Sequence, residues 1–193
     1  MSQNVAPLLT IETPRLNLVA ATLAHLEAEL EAPARLSTVL QALVPTSWPP
    51  GEYDRPAIEF FRTCVAKKPE DVGWYGWYAI QRPSQGQDAV LVAAGGYRGQ
   101  PLPDGTVEIG YSVLPEYRSR GYATEIVHAL VQRAFAIVEI TAVIAHTQAN
   151  NLASIKVLEH CGFKLAGSGG DRGLVRYLCL RNASESGGAH NSG

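Results

Sequence analysis

A basic turn that contains a glycine lies at residues 118–123, between a segment typical of a strand and a segment with helical periodicity. The first turn of a helix leaves backbone N–H groups without intrahelical partners and carries the positive end of the helix dipole, so it binds anions. Gly121 lets the backbone approach a ligand closely, and Arg118 and Arg120 add positive charge. This pattern favours the binding of a phosphate.

The spacing of the turn differs from that of the two commoner nucleotide-binding motifs. The pattern Arg118-x-x-Gly121-x-Ala123 lacks the three glycines of the dinucleotide turn and the Gly-Lys-Ser/Thr of the P-loop. Because there is no P-loop lysine and no set of metal ligands, we expect a pyrophosphate here to belong to coenzyme A rather than to a nucleoside triphosphate.

With these residues the sequence resembles the GCN5-related N-acetyltransferase (GNAT) family. The acetyl-CoA signature of that family is Arg/Gln-x-x-Gly-x-Gly/Ala after a strand that ends in Val-x-Pro, here Val113-Leu-Pro115. A second segment, residues 151–163, resembles the family's Asn-x-x-Ser/Ala helix that ends in Gly-Phe, and Thr13-Pro-Arg-Leu16 resembles the start of the ribosomal-protein N-terminal (RimJ/RimL-like) branch. The resemblance covers residues 8 to 180 and implies transfer of an acetyl group from acetyl-CoA to an amine.

The resemblance also implies where the cofactor binds. In the family, a β-bulge splays two parallel strands, and the pantetheine arm pairs with the exposed strand edge. Asn151 resembles the family asparagine that contacts this arm or a structural water, and it would serve equally well as the N-cap of the following helix. The expected cofactor-binding residues are Tyr111, Ser112, Val113, Arg118, Ser119, Arg120, Gly121, Tyr122, Ala123, Thr124 and Asn151.

Amine acetylation also needs a group that deprotonates the amine and a group that protonates the departing thiolate. Glu108 and His146 compete for the role of base, and a reaction without a dedicated base is a third alternative. Many relatives carry Tyr seven residues after the asparagine, where this chain has Leu158. Ser154 is the nearest hydroxyl that could replace it, although a serine that only packs within the helix is the alternative.

Aromatic residues provide candidates for the acceptor side. Trp48 lies in a proline-bounded loop and is predicted to bind substrate, whereas the aromatic group at residues 74–78 is predicted to pack in the core. Three cysteines without Cys-x-x-Cys spacing predict neither a disulfide framework nor a zinc site. Cys161, at a helix end beside Gly162, is not expected to be a nucleophile, because the chemistry resembles direct transfer.

Length and charge bound the class of protein. The 193 residues are 46% hydrophobic and fit one domain, for which we expect a flexible segment at 1–7, the acetyltransferase domain at 8–181 and a disordered tail at 182–193. With 16 basic and 18 acidic residues the net charge is −2, which argues against nucleic acid and anionic membranes as partners. Neither a signal peptide nor a membrane span is evident, so a cytoplasmic protein is predicted.

The order of segments, β-α-α-α-β-β-β-α-β-α-β-β, predicts a mixed α/β fold with helices on both faces of the sheet. The resemblance adds that the sheet is mostly antiparallel, has about seven strands and contains splayed parallel strands at the cofactor site. It implies an N-acetyltransferase that acts on a protein N-terminus or a small-molecule amine, and a homodimer is common in the family. A non-catalytic acyl-CoA-binding or sensing module is the alternative function.

Overall fold

The computed structural model describes residues 8–84, 86–170 and 173–181, so the segments predicted to be flexible or disordered at 1–7 and 182–193 lie outside it. The elements are β1 (Thr10–Glu12), β2 (Leu16–Ala20), α1 (Leu23–Glu31), α2 (Pro33–Leu40), α3 (Arg55–Lys67), β3 (Gly76–Gln81), β4 (Val90–Tyr97), β5 (Thr106–Val113), α4 (Tyr122–Phe135), β6 (Ala142–Gln148), α5 (Leu152–His160), β7 (Lys164–Ser168) and β8 (Leu174–Leu180). In these ranges no helix is both long enough and apolar enough to cross a bilayer.

The strands form one mixed sheet in the order β1-β2-β3-β4-β5-β6-β8-β7. The pairing of β5 with β6 is parallel, and the other described pairs are antiparallel. The mixed, mostly antiparallel fold is therefore confirmed, with eight strands where about seven were expected. The extra strand arises because a turn interrupts the first predicted strand, where the Thr13 N–H donates to the Leu16 carbonyl at 2.9 Å and the Leu16 N–H donates to the Thr13 hydroxyl oxygen at 3.0 Å.

Helices cover both faces of the sheet. On one face, α4 and α5 pack over a core that contains Ile126 and Leu130, both fully buried. On the other face, helices α1 to α3 cover a second core that contains Leu26, Ile58 and Tyr78. Burial of each such aliphatic side chain contributes about 1.5–3 kcal/mol, so both layers hold the sheet rigidly.

A caged arginine fixes α4 to the sheet. The Arg133 guanidinium carbon lies 4.8 Å from the ring centre of Trp74, 5.3 Å from that of Trp77 and 5.2 Å from that of Tyr97. Cation–π attraction to these rings, of which Trp77 and Tyr97 are buried and Trp74 is partly buried, holds the helix in one position relative to β3 and β4. Trp74 and Trp77 therefore pack in the core, as their alternating pattern indicated.

A partly buried carboxylate connects α1, the loop after α2 and β3. The Glu29 carboxylate accepts hydrogen bonds from Trp48 Nε1 at 2.6 Å, the Tyr53 hydroxyl at 2.9 Å and the Tyr78 hydroxyl at 2.6 Å. Burial raises the pKa of Glu29 above its ordinary value, although the three hydrogen bonds act in the opposite direction. The charged form is thus held in place by three donors at a cost in desolvation.

Replacing Glu29 with Gln is expected to change how stability depends on pH. A carboxyl with a raised pKa in the folded state stabilises the fold fully only below its unfolded pKa, and this stability is lost as the pH rises through the folded pKa. E29Q does not suffer that loss, so its Tm relative to the wild type should rise from about pH 4.5 upwards.

Thermal unfolding of both proteins over this range measures the effect, with the exposed Glu27→Gln as control. If the Tm difference between E29Q and the wild type stays constant or falls as the pH rises, the pKa of Glu29 is not raised in the folded protein.

Candidate active site

The site is built where β5 and β6 separate. The two strands pair in parallel from Thr106 with Ala142 to Glu108 with Ile144, and among the described residues their register goes no further. On its other side β5 remains paired with β4 as far as Val113. One edge of β5 is therefore open over its second half.

The alternation of an antiparallel ladder decides which backbone groups line this edge. The Arg98 N–H donates to the Glu108 carbonyl, so every second residue of β5 from Glu108 directs its backbone groups towards β4. The N–H groups of Tyr111 and Val113, which lie beyond the last pair with β6, consequently face the gap. An extended ligand with amide groups, such as a pantetheine arm, can pair with this edge as a further strand would.

A groove of about 550 Å³ runs from this edge to the basic turn. Every residue predicted to bind the cofactor lines it except Arg120, and Ser154 lines it as well. The structure thus brings the two sequence motifs, which are separated in the chain, to opposite walls of one groove.

The basic turn has the backbone shape of an anion-binding nest. Ser119 and Gly121 both adopt left-handed conformations, with φ of 59° and 80°, and α4 begins at the next residue. Such alternation directs successive N–H groups into one concavity, and the helix N-terminus adds its own N–H groups and positive dipole. The turn is shaped to bind an anion before any ligand arrives.

The two arginines of the turn stabilise it through hydrogen bonds to nearby backbone carbonyl groups. Arg118 Nε donates to the Val113 carbonyl at 3.1 Å, which closes the end of β5 onto the turn. Arg120 donates to the Glu116 carbonyl at 2.9 Å, and its guanidinium stacks over the ring of Tyr117 at 5.2 Å. The positive charge predicted at the turn is present, but these side chains also hold the loop in shape.

A contact between the N-terminal turn and α4, which sequence reasoning missed, supports the same loop. Glu125 accepts hydrogen bonds from the Thr13 hydroxyl at 2.5 Å, from the Arg15 N–H at 2.7 Å and from Arg15 Nε at 2.8 Å. Arg15 also donates to the Arg120 carbonyl at 2.7 Å and stacks over the ring of Tyr122 at 4.8 Å. Arg15 therefore ties the first strands to the basic turn.

The electrostatics of this contact suit an anion site. Partial burial acts to raise the pKa of Glu125, but hydrogen bonds from Thr13 and Arg15 outweigh it and hold that pKa below its ordinary value. Arg15 thereby neutralises a carboxylate that would otherwise repel a phosphate at the helix N-terminus. The signal in the sequence was an acidic residue in the first turn of a predicted anion-binding helix, which requires a nearby cation.

The second motif places a hydroxyl pair beside the open edge of β5. The Asn151 side chain caps α5 by accepting from the Ser154 N–H at 3.1 Å, so its predicted capping role is observed. The Ser154 hydroxyl lies 2.9 Å from the Tyr111 hydroxyl. Leu158, at the position where relatives carry Tyr, is fully buried. Among the tyrosines that line the groove, the one whose hydroxyl lies beside Ser154 is Tyr111, which comes from β5 instead of α5.

Burial raises the pKa of Tyr111 to about 12, against a smaller opposing effect of the hydrogen bond with Ser154. The phenol therefore keeps its proton at neutral pH and donates it to the Ser154 carbonyl at 3.2 Å. Tyr111 lies in the groove and on the boundary of the second cavity described below, where its hydroxyl can exchange that bond for one to a ligand.

Glu108 and His146, the two candidate bases, lie next to each other. Glu108 Oε1 is 3.1 Å from His146 Nδ1 and 2.9 Å from Arg98 Nε. Since a carboxylate beside a guanidinium accepts hydrogen bonds, Nδ1 of His146 is assigned as the protonated nitrogen, and Nε2 is then the nitrogen that can accept a proton. The structure joins the two alternatives into one hydrogen-bonded group.

A second cavity of about 530 Å³ lies on the opposite face of β5, between α3 and the β4–β5 hairpin. It meets the first groove at Tyr111 and Ser112, which line both. Glu108 lies on the same face of β5 as Gly110 and Ser112, about 7 Å along the strand from Gly110. A ligand in each cavity could therefore meet beside Tyr111.

Trp48 lies away from this junction. Its side chain is 8% exposed and its Nε1 donates to Glu29, so it packs in the core under α1. The loop that carries Trp48 contributes to the region through Glu52 and Tyr53, which line the 530 Å³ cavity. The prediction that Trp48 binds substrate is not supported by this position.

Covalent catalysis by a cysteine and catalysis by a metal ion find little support in the described residues. Burial, with a smaller contribution from Cys179, raises the pKa of Cys161 to about 11, so this thiol is protonated at neutral pH and a poor nucleophile. Within the described ranges, no group of three or more His, Cys, Asp and Glu side chains is arranged to hold a metal ion.

Comparisons with known proteins agree with this geometry. The model of the acetyltransferase (GNAT) domain matches residues 15–164. The chain is 26% identical over 155 residues to the uncharacterised N-acetyltransferase YjdG of Bacillus subtilis (strain 168), covering 80% of this chain and 89% of that protein.

Two solved structures share the fold. RimL, a ribosomal-protein alpha-N-acetyltransferase in complex with coenzyme A, is 16% identical with a TM-score of 0.62, covering 89% of this chain and 98% of RimL. The ribosomal-protein-S5-alanine acetyltransferase of Vibrio fischeri is 14% identical with a TM-score of 0.61, covering 91% and 98%. The domain match spans more than half of the chain, and this protein therefore belongs to the GNAT family of acetyltransferases.

Proposed function

We propose that the protein transfers the acetyl group of acetyl-CoA directly to a primary amine. The observation that carries this proposal is the junction of two cavities at Tyr111 and Ser112, one shaped for the donor and one open to an acceptor. When bound, acetyl-CoA supplies a thioester whose acetyl carbon is the target of the amine. Direct transfer requires both reactants at one point at the same time, which this junction allows.

The donor site is largely a backbone site. The nest at Ser119–Gly121 and the first turn of α4 bind the pyrophosphate, and the open edge at Tyr111 and Val113 binds the pantetheine arm. The N–H of Val113 is directed into the gap and polarises the acetyl carbonyl, as a preorganised donor does at a developing oxyanion. Structural similarity to a CoA-bound neighbour supports this donor.

The base on the acceptor side is His146 acting through Nε2, with Glu108 as the positioning residue. The oxygen Oε1 of Glu108 already accepts from Arg98 and His146, whereas Nε2 of the imidazole has no hydrogen-bond partner among the described residues. Because Glu108 lies about 7 Å from Gly110 along β5, the amine proton reaches His146 through a bridging water.

The thiolate is protonated on the opposite side of β5. The Tyr111 hydroxyl donates a hydrogen bond to the departing sulfur, and Ser154 supports it at 2.9 Å. A phenol with a pKa of about 12 stabilises the thiolate mainly as a hydrogen-bond donor, and solvent completes the proton transfer.

Two acceptor classes are compatible with this chemistry, a protein N-terminus and a small-molecule amine. The names of RimL and of the Vibrio fischeri enzyme refer to acceptors on ribosomal proteins, which supports the first class. The second candidate function, an acyl-CoA sensor without catalysis, is favoured by Leu158 at the usual tyrosine position. An assay of thiol release from acetyl-CoA with a panel of amines and N-terminal peptides distinguishes the enzyme from the sensor, because a sensor binds acetyl-CoA without turnover on any acceptor.

Arg15→Ala is expected to weaken binding of coenzyme A about fivefold or more, because Glu125 would face the pyrophosphate without its counter-ion. Calorimetry measures the Kd. Binding of S-acetyl-pantetheine, which lacks the pyrophosphate, should change little. The surface variant Arg35→Ala serves as control, and equal losses for both ligands would argue against the electrostatic role.

His146→Ala is expected to lower kcat/KM about a hundredfold, because the group that accepts the amine proton is removed. Glu108→Gln should lower kcat/KM less, since an amide oxygen can still accept from Nδ1. Steady-state kinetics of the two variants distinguishes the roles. A larger loss in E108Q would make Glu108 the base, and losses below tenfold in both would exclude a dedicated base.

Tyr111→Phe is expected to lower kcat about tenfold or more with little change in the Kd of acetyl-CoA, because the ring stays in place while the hydroxyl loses its bonds to the departing sulfur and to Ser154. Ser154→Ala should have a smaller effect in the same direction. Tyr177→Phe is the matched control, since that hydroxyl bonds Glu159 at 3.3 Å away from the groove. If Y111F and Y177F retain the same kcat, the assigned role of Tyr111 is wrong.

A further inference from the structure

We propose that the acceptor is a primary amine whose carbon skeleton carries an aromatic ring or an apolar group of similar size. This inference rests on the proposed function, since it takes the 530 Å³ cavity between α3 and the β4–β5 hairpin as the acceptor site. The wall, the floor and the charges of this cavity each support it.

The wall is an apolar face of α3 that the described residues leave partly exposed. Pro56, Ala57, Phe60 and Phe61 recur at helical spacing and line the cavity, and Phe60 is 54% exposed. The rings of Phe60 and Phe61 lie 5.9 Å apart, and Tyr53 continues the cluster at 6.3 Å from Phe61. Exposed aromatic rings on the wall of a concave site favour an apolar ligand.

The floor consists of glycines, and one of them is not explained by the fold. A Cβ on Gly95 would lie 2.8 Å from Ile126 Cγ2, and one on Gly96 would lie 2.0 Å from the Tyr75 carbonyl oxygen, so packing requires both glycines. A Cβ on Gly110 would meet no atom within 4 Å, and its φ lies outside the left-handed region. The fold would accept a side chain at Gly110. Because glycine has none, this part of the cavity stays open for a ligand.

The charges argue against a polyamine. Among the described residues that line the cavity, Glu52 and Arg98 are the charged ones, and Arg98 is paired with Glu108. A polycation requires several carboxylates at matching distances, whereas a monoamine with an apolar body requires none beyond the catalytic group. The cavity therefore selects its acceptor by apolar area.

The first test compares kcat/KM for 2-phenylethylamine, ethylamine and spermidine. Burial of a phenyl group predicts that kcat/KM for phenylethylamine is at least tenfold higher than for ethylamine. Per amino group, spermidine should have a lower kcat/KM than phenylethylamine. A second arm compares peptides that begin with Phe with peptides that begin with Gly. A preference for Phe there would show that the cavity also binds the aromatic ring of an N-terminal residue. A ratio near one in both arms, or a preference for spermidine, overturns the inference.

The second test varies Gly110. The phenylethylamine-to-ethylamine ratio should fall modestly in Gly110→Ala and to about threefold or less in Gly110→Leu, as the side chain fills the floor. The Kd of acetyl-CoA should stay within about twofold, because Gly110 does not line the donor groove. The exposed Val138→Leu is the matched control, and thermal unfolding verifies that G110L is folded.

Loss of acetyl transfer and loss of acceptor selectivity are distinguishable outcomes. If acetyl-CoA binds but neither ethylamine nor any other acceptor is turned over, the proposed function fails, and this inference fails with it. If ethylamine is acetylated and the ratio is unchanged in G110L, acetyl transfer stands and the acceptor class is wrong.

Discussion

The early end of the parallel pairing between β5 and β6 is the constraint on which the site depends. A strand in the middle of a sheet normally satisfies its backbone groups on both edges, and β5 does so only as far as Glu108. Beyond that residue its groups face a gap, which an extended amide ligand can fill. The same separation gives Tyr111 access to α5, so the strand edge and the hydroxyl pair result from one interruption.

The sequence was sufficient where local backbone chemistry decides the structure. Gly121 and the helical periodicity after it predicted the anion-binding turn, and Asn151 predicted the start of α5, because turns and caps depend on neighbouring residues. Contacts between distant segments could not be predicted in this way. The bonds from Arg15 to Glu125, and the cage around Arg133, depend on tertiary packing that no spacing in the chain specifies.

Trp48 shows what residue type leaves open. Its proline-bounded loop favoured a role in substrate binding, but its indole N–H is a donor that must be satisfied when buried, and Glu29 satisfies it. The same carboxylate holds Tyr53, which does line the cavity. The loop therefore takes part in shaping the acceptor side, through a neighbour that the pattern did not single out.

In the proposed function, the turn at Ser119–Gly121 and the open edge of β5 present mainly backbone atoms to the donor, whereas the opposite cavity presents side chains of α3 to the acceptor. Side-chain replacement along the groove, outside Gly121, can then leave the backbone contacts to the donor intact, since every residue type other than proline supplies an N–H. Replacement along α3 or at Gly110 would alter the proposed acceptor surface directly. Such a scaffold can drift among acceptors over evolutionary time while its donor stays constant.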